Sequence, residues 1–134
     1  MACLYRLKST FYHKGVIKME ASVSRLLALD RRVRYVGVVD NVGSLLVSRF
    51  KVGVTSLLSQ DELKEFAKEV AYRRRMRERW DPQLGKVLST VLSREKMTVV
   101  TLYVGDKTVL MTLERGAPLG IVDAAIQVVG ESIS

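Results

Sequence analysis

Residues 33–50 constrain the fold of this chain more than any other stretch. They read VRYVGVVDNVGSLLVSRF, two runs rich in β-branched residues that are joined by Asp40-Asn41-Val42-Gly43. Asp and Asn side chains bond readily to the nearby backbone, and Gly tolerates positive φ, so this joint predicts a turn. The first run is apolar on both faces, which is typical of a central strand with cover above and below. The stretch therefore predicts a β-hairpin, and Gly37 within it indicates a bulge or the close approach of a helix.

Three helices are expected around this hairpin. Apolar residues at helical spacing predict a short helix over residues 20–32. Ser59-Gln60-Asp61-Glu62 has the pattern of a capping box and predicts the start of a longer helix over residues 61–79. A closing helix begins near Pro118 and is expected to stop at Gly130.

Three further strands are predicted over residues 85–92, 97–104 and 108–113. Gly105-Asp106 separates the last two by two residues with Gly first, which favours a type II′ hairpin. The element order is then α-β-β-α-β-β-β-α. Because strands linked by short turns pair with their neighbours, this order predicts an α+β fold in which three helices cover a five-stranded antiparallel sheet.

Length and cysteine content limit the kind of protein this is. A chain of 134 residues is expected to form one domain with a single core. Its one cysteine, Cys3, permits no internal disulfide and no thiolate metal cluster, as in proteins of a reducing cytoplasm. No apolar run is long enough to cross a membrane, so we expect no membrane partner.

The net charge of +8 is concentrated in two places. Residues 1–34 hold eight basic and two acidic side chains, and residues 72–80 hold five arginines and one glutamate. Residues 1–18 are basic without a clear period, and we interpret them as an N-terminal extension of a domain that spans residues 19–134. Such patches suit an anionic partner, although a solvated helix end and colloidal solubility explain them equally well.

The second basic region gives an alternative function. Arginines on a helix, flanked by Tyr72 and Trp80, can hold phosphates and stack on bases, as a nucleic-acid-associated protein requires. The candidate anion-binding residues are Arg73, Arg74, Arg75, Arg77 and Arg79. The competing interpretation is a solvated helix end whose cations suit the helix dipole.

The sequence contains no constellation that predicts catalysis. The single histidine, His13, has no nearby carboxylate and no second histidine, so neither a triad nor a metal site is expected. Gly-rich phosphate loops are absent as well. We therefore predict no catalytic residues, no metal and no cofactor, and a protein that is not an enzyme.

The order of elements resembles the roadblock/dynein light-chain fold, a relative of the profilin-like folds. More closely, residues 34–50 followed by SLLSQDELKEFAKEVAYRRRMRERW resemble a family of small archaeal proteins of unknown function. In that family an "RFAGVCD-like" strand precedes an "LLTPEE-like" helix start. Asp40, Gly43, Leu57-Leu58 and Glu62 match this pattern.

The resemblance implies a protein-interaction module. Roadblock-type domains typically form homodimers or heterodimers, often by joining third strands at the sheet edge and packing the long helices together. Several serve as platforms or regulators for small GTPases. Carried onto this chain, the pairing edge covers residues 86–92 and the packed helix residues 61–79. The interface residues implied on that edge are Lys86, Leu88, Thr90 and Leu92. The chain departs from this picture at Arg73-Arg74-Arg75, since two such clusters would repel across a helix pair unless they face outward.

Three hypotheses follow from the sequence. The first is a cytoplasmic, non-enzymatic interaction module, self-associating or bound to a small GTPase. The second is the nucleic-acid-associated protein described above. The third is a ligand-sensing domain with a pocket between the sheet and a helix, as profilin-like folds can have.

Overall fold

The chain forms one antiparallel sheet with helices on both of its faces. The computed structural model describes residue 15 and residues 18–132. The strands are β1 (Val33–Val39), β2 (Leu45–Phe50), β3 (Ser89–Ser93), β4 (Met97–Val104) and β5 (Lys107–Glu114). The helices are α1, which includes residues 18–27, α2 (Gln60–Glu78), α3 (Asp81–Leu84) and α4 (Gly120–Ser132). The predicted α+β class and five-stranded antiparallel sheet are confirmed, with the short helix α3 in addition.

The strand order is β2-β1-β5-β4-β3, so β2 and β3 form the two edges of the sheet. Every residue of β1 except Arg34 is buried, as expected for a strand with cover on both faces. The β4–β5 turn joins Val104 to Lys107 through two residues, of which only Gly105 has positive φ. That conformation agrees with the predicted type II′ hairpin.

The β1–β2 turn is held by the side chain of Asp40. Its Oδ1 accepts hydrogen bonds from the backbone N–H groups of Val42 at 3.1 Å and Ser44 at 2.8 Å. Gly43 has φ of 89°, and a Cβ added there would lie 2.7 Å from the Cα of Lys68 in α2. The turn therefore packs directly against the backbone of α2, and only glycine fits at this contact.

Two apolar clusters hold the helices to the sheet. On one face, α1 and α4 pack against a cluster that includes Val36, Val100 and Met111. On the other, which we call the α2 face, buried residues of α2 pack against Tyr35, Leu110 and other strand residues. The two clusters lie on opposite sides because successive strand side chains alternate between faces. The sheet is thus the middle layer of three.

Tyr35 explains the glycine within β1. Its hydroxyl hydrogen-bonds to Ser48 Oγ at 2.8 Å, and burial raises the pKa of the phenol above its usual value. A Cβ added at Gly37 would lie 2.5 Å from the Tyr35 hydroxyl oxygen. Neither predicted reason for Gly37, a bulge or the close approach of a helix, applies, because the pairing is regular at this residue and the close approach is that of an aromatic ring.

Two predicted boundaries are wrong for local reasons. The first helix ends near residue 27, not 32, because the Asp30 side chain accepts the backbone N–H of Arg32 at 2.8 Å and forms a turn. The last helix continues through Gly130, where the sequence predicted its end. One glycine in a helix costs only about 1 kcal/mol relative to alanine, and the buried Val128 and Val129 hold this turn to the core.

The third strand begins four residues later than predicted. Pro82 lies in the first turn of α3, where its fixed φ and missing N–H are tolerated, so residues 81–84 form a helix. Gly85, with φ of 82°, ends that helix, and β3 starts only at Ser89. Lys86 consequently lies before the strand. Of the predicted extension, residues 1–18, only 15 and 18 are described, and both are helical; Cys3 and His13 lie outside the described residues.

Candidate interaction surface

Strand β3 is an edge with unused backbone hydrogen-bonding groups. The Leu88 carbonyl accepts the N–H of Tyr103 in β4 at 3.1 Å, and the N–H of Arg94 donates to the Met97 carbonyl at 2.9 Å. Because bonded and non-bonded pairs alternate in an antiparallel ladder, Thr90 and Leu92 bond inward to β4. The N–H and C=O groups of the odd-numbered residues Ser89, Val91 and Ser93 therefore point away from the sheet.

The side chains of β3 are uncharged, and those of Val91, Leu92 and Ser93 are exposed. Leu92 lies opposite Val99 in the ladder and so projects on the α2 face, whereas Val91 lies opposite Val100 and projects on the other face. Leu88 is 70% exposed, Leu92 50% and Val91 42%. Apolar side chains are thus exposed on both faces of the same strand edge.

The opposite edge, β2, is protected against strand pairing. Its register with β1 shifts between Val38 and Val39, which marks a bulge. It also carries Arg49, whose guanidinium donates to Ser24 Oγ of α1 at 2.5 Å, and Lys51 follows directly after it. Bulges and charged residues within a strand are the usual features that keep sheet edges from pairing. Strand β3 itself has neither, and Arg94 follows it as Lys51 follows β2.

Among the five arginines that were predicted to bind anions, Arg74 has a structural role. Its guanidinium donates to the carbonyl of Lys107 at 2.7 Å and to Thr108 Oγ1 at 3.2 Å, and it also bonds to the carbonyl of Gly105. It lies over the ring of Tyr103, 4.7 Å from the centroid. Its side chain is only 15% exposed. Arg74 therefore fastens α2 to the β4–β5 turn.

The other four arginines do not converge on one point. Arg73 pairs with Glu69 in its own helix at 3.5 Å, and Arg75 bonds weakly to the Asn41 carbonyl in the β1–β2 turn. Arg77 donates to the Tyr103 hydroxyl at 2.9 Å on the side of β4. Arg79 lies over the ring of its neighbour Trp80. Anion binding by these residues stays a prediction.

Three of the four predicted interface residues lie on one face of the β3 edge. Leu88, Thr90 and Leu92 all project on the α2 face, where Thr90 bonds through its hydroxyl to Thr101 of β4. Lys86 is exposed and precedes the strand. Their role in an interface stays a prediction. The sequence could not distinguish inward from outward backbone groups, because that distinction depends on the register with β4.

The role of Arg74 was missed, although the sequence contains a signal for it. The apolar series Leu63, Phe66, Ala67 and Val70 continues at helical spacing to position 74. An arginine at a core-facing position is buried along its stem and needs acceptors for its head group. Reading the series one turn further would have indicated a structural arginine.

An open apolar cleft lies between the start of α2 and the β3–β4 turn. It measures about 690 Å³, and its walls include Leu57, Phe66, Met97 and Tyr35. This is the place where the third hypothesis would put a ligand. Polar and charged side chains of the β3–β4 turn, Ser93, Arg94, Glu95 and Lys96, form one side of the cleft, so it combines apolar walls with polar groups as small-molecule sites do. Ligand binding there stays a prediction.

The part of the chain that the structure describes has no arrangement typical of a metal site. Among residues 15 and 18–132, no three His, Cys, Asp or Glu side chains come together in a way that could hold a metal ion. Within the same residues, no helix is both long and apolar enough to cross a membrane.

Several solved structures share this fold at low sequence identity. The gliding protein MglB of Thermus thermophilus is 16% identical over 87% of this chain and 89% of its own, with a TM-score of 0.71. MglB of Myxococcus xanthus is 17% identical over 87% of each chain, with a TM-score of 0.67. A Roadblock/LC7 domain from Streptomyces avermitilis is 10% identical over 82% of this chain and 92% of its own, with a TM-score of 0.62. No curated protein matches the sequence.

The predicted resemblance to the roadblock fold and to a family of unknown function is thereby confirmed. A family model matches residues 14–130, nearly the whole chain. The chain is a member of the family of unknown function DUF6659, and it has the roadblock fold.

Proposed function

We propose that this chain is a non-enzymatic interaction module that self-associates through the outer edge of β3. The carrying observation is the combination on that edge of outward N–H and C=O groups with exposed apolar side chains. An unprotected edge is a template for another strand, and β2 lacks this property because of its bulge and charges. One solved structure with this fold is described as "MglB with tetrameric arrangement". Assembly of that protein supports the proposal that this chain self-associates.

The register that we propose is centred on Val91, the middle residue of β3. A two-fold axis normal to the sheet makes the two β3 strands antiparallel, as isologous dimers require. The outward N–H and C=O groups of the odd-numbered residues then form the hydrogen bonds between the two strands. In this register Val91 lies opposite the partner subunit's Val91, and Ser89 lies opposite the partner subunit's Ser93. On the α2 face, Thr90 and Leu92 then lie beside the partner subunit's Thr90 and the partner subunit's Leu92.

The change Val91→Pro tests pairing through the outer edge of β3 and leaves the internal ladder intact. The N–H of Val91 has no acceptor in β4, so proline removes a bond from the dimer and none from the internal ladder. We expect the wild-type chain to sediment as a dimer at micromolar concentration and the variant to dissociate at least about tenfold more readily, since several neighbouring edge bonds are lost with it.

Val91→Ala is the matched control, because it shortens the same side chain and keeps the N–H. It should remain dimeric, and both variants should keep the circular dichroism spectrum and a cooperative melt. A Val91→Pro variant that dimerises as tightly as the wild type would refute pairing through this edge. A wild-type chain that is monomeric at every concentration would refute the self-association.

A small GTPase is the partner that we propose beyond a second copy. The support is the resemblance to roadblock-type domains and the overall likeness to MglB. The single cysteine suits the reducing cytoplasm in which such a partner occurs. Isothermal titration against the small GTPases of the native host, each loaded with GDP or a GTP analogue, should give binding that prefers one nucleotide state. If none of these GTPases gave a heat of binding in either nucleotide state, the proposal of a GTPase partner would be refuted.

A further inference from the structure

The apolar cleft beside the start of α2 exists because the helix covers the sheet incompletely there. In the middle of α2, Ala67 and Ala71 are buried against the strands, and their small side chains let the helix lie close to the sheet. Nearer its start, Leu63 and Phe66 are only partly buried. The cleft therefore lies over the sheet, between the first turns of α2 and the β3–β4 turn.

The floor and one wall of the cleft are apolar and held in place by the fold. Val99 and Leu110 of the sheet border the cleft and are buried. Leu57 and Leu58 border it from the segment before α2, and they are 55% and 36% exposed. Ser56 orders this segment, because its hydroxyl donates to the Leu58 carbonyl at 2.6 Å and accepts the Leu58 N–H at 3.2 Å. An apolar surface that is ordered before a ligand arrives lowers the cost of binding an apolar molecule.

The opposite wall of the cleft carries two cations that have no ion-pair partner. Arg94 and Lys96 lie in the β3–β4 turn, which is closed by a hydrogen bond from the Arg94 N–H to the Met97 carbonyl at 2.9 Å. Both side chains are exposed, and in the part of the chain that the structure describes neither takes part in an ion pair. Glu95 lies between them in the sequence, so the turn has an excess of one positive charge. This combination is complementary to a molecule with an apolar tail and one negative charge.

We infer that this cleft binds an aliphatic carboxylate, and that it does so in a single copy of the chain. The hydrocarbon tail lies on Val99 and Leu110, beside Leu57, and the carboxylate pairs with Arg94 or Lys96. The planar guanidinium of Arg94 matches both carboxylate oxygens, whereas the Lys96 ammonium acts as a point charge. The cleft volume of about 690 Å³ lies within the range of roughly 300–1,000 Å³ that is typical of small-molecule sites.

A series of carboxylates tests the apolar part of the site. Hexanoate, octanoate and decanoate share one head group and differ only in the length of the tail. Each methylene that leaves water should tighten binding about fourfold, so the dissociation constant should fall along the series. Isothermal titration at neutral pH and low salt gives these constants, and the amide NMR shifts should be largest near Leu58, Met97 and Leu110. Absence of binding with all three carboxylates at millimolar concentration, or shifts centred elsewhere, would overturn the inference.

Octylamine tests the head group, because its tail is similar to that of octanoate and its charge is opposite. The wild-type chain should bind octanoate about tenfold more tightly than octylamine. The double variant Arg94→Gln/Lys96→Gln should bind octanoate about fivefold more weakly than the wild type and should lose most of this preference. The matched control Arg31→Gln/Lys64→Gln removes the same two charges outside the cleft and should keep the preference. Equal affinity of the wild type for octanoate and octylamine would overturn the carboxylate as the ligand class.

Leu57→Asp tests the position of the tail, because it places a carboxylate where the hydrocarbon is expected to lie. It should weaken decanoate binding at least about tenfold through lost apolar contact and charge repulsion. Val52→Asp is the matched control, since Val52 is 99% exposed in the same connection and does not border the cleft. It should bind decanoate as the wild type does, and both variants should keep a cooperative melt. Equal decanoate binding by the two variants would overturn the proposed site.

A second copy of the chain is the competing occupant of the cleft. Titrations at a low and a high chain concentration separate the two, because a cleft filled by a second copy would exclude decanoate. We expect the same dissociation constant for decanoate at both concentrations. Binding that is lost as the chain associates would overturn the carboxylate as the occupant and would support self-association. A chain that stays monomeric and binds decanoate would refute self-association and leave the cleft site intact.

Discussion

Replacing Gly43 by alanine is expected to lower the free energy of unfolding by about 3 kcal/mol. Two costs combine at this position. The residue has φ of 89°, a conformation that L-residues rarely adopt, and the new Cβ would lie 2.7 Å from the Lys68 Cα. Because that neighbour is a backbone atom in the middle of α2, it cannot move aside without displacing the helix. Urea unfolding at one fixed chain concentration measures the loss.

Gly53→Ala separates the two costs. Gly53 has almost the same φ, 86°, but no atom lies within 4 Å of where its Cβ would be. This variant should lose only the conformational part, about 1 kcal/mol. Equal losses in the two variants would show that the β1–β2 turn does not press on α2.

Replacing Arg74 by methionine is expected to lower the free energy of unfolding by about 2–3 kcal/mol. The guanidinium carries bonds to Gly105, Lys107 and Thr108 from a largely buried position, and methionine fills the stem without replacing them. The carbonyls left behind lose a charged donor, which costs more than the loss of a neutral one. Chemical denaturation gives the stability, and hydrogen exchange should show faster opening of the β4–β5 turn.

Arg73→Met is the control for Arg74→Met, because it removes the same charge from the same helix. Arg73 is 58% exposed and has a single pair with Glu69, so its removal should change stability by no more than about 0.5 kcal/mol. If the two variants were equally stable, Arg74 would not be the fastening between helix and sheet. That result would support the prediction that Arg74 binds an anionic partner.

The sheet could be predicted from the sequence because its signals are local. The turn residues Asp40 and Gly43 and the two-residue loop at Gly105 each specify a hairpin, and short connections make neighbours antiparallel. The capping box at Ser59 and Glu62 likewise fixed the start of α2 within one residue, and both of its hydrogen bonds are present. Such features depend on residues a few positions apart.

Several of the errors and omissions arise where distant residues decide. The start of β3 depends on α3 and on pairing with β4, neither of which residues 85–88 reveal by themselves. Gly37 lies on the same face as Tyr35, two positions away, but the need for glycine there depends on the direction of the ring, which bonds to Ser48 of the neighbouring strand. The candidate surface also depends on distant residues. The Val91 backbone groups point outward because of the register of β3 with β4, and the Val91 side chain does not reveal that direction.

The most direct test of the account is residue-resolved amide hydrogen exchange along β3 at a concentration where the chain is fully associated. The internal ladder protects the N–H groups of Thr90 and Leu92 in any state that is folded. The account predicts that those of Ser89, Val91 and Ser93 are protected to a similar degree and lose that protection on dilution. Rapid exchange of these three at every concentration, beside protected Thr90 and Leu92, would contradict it.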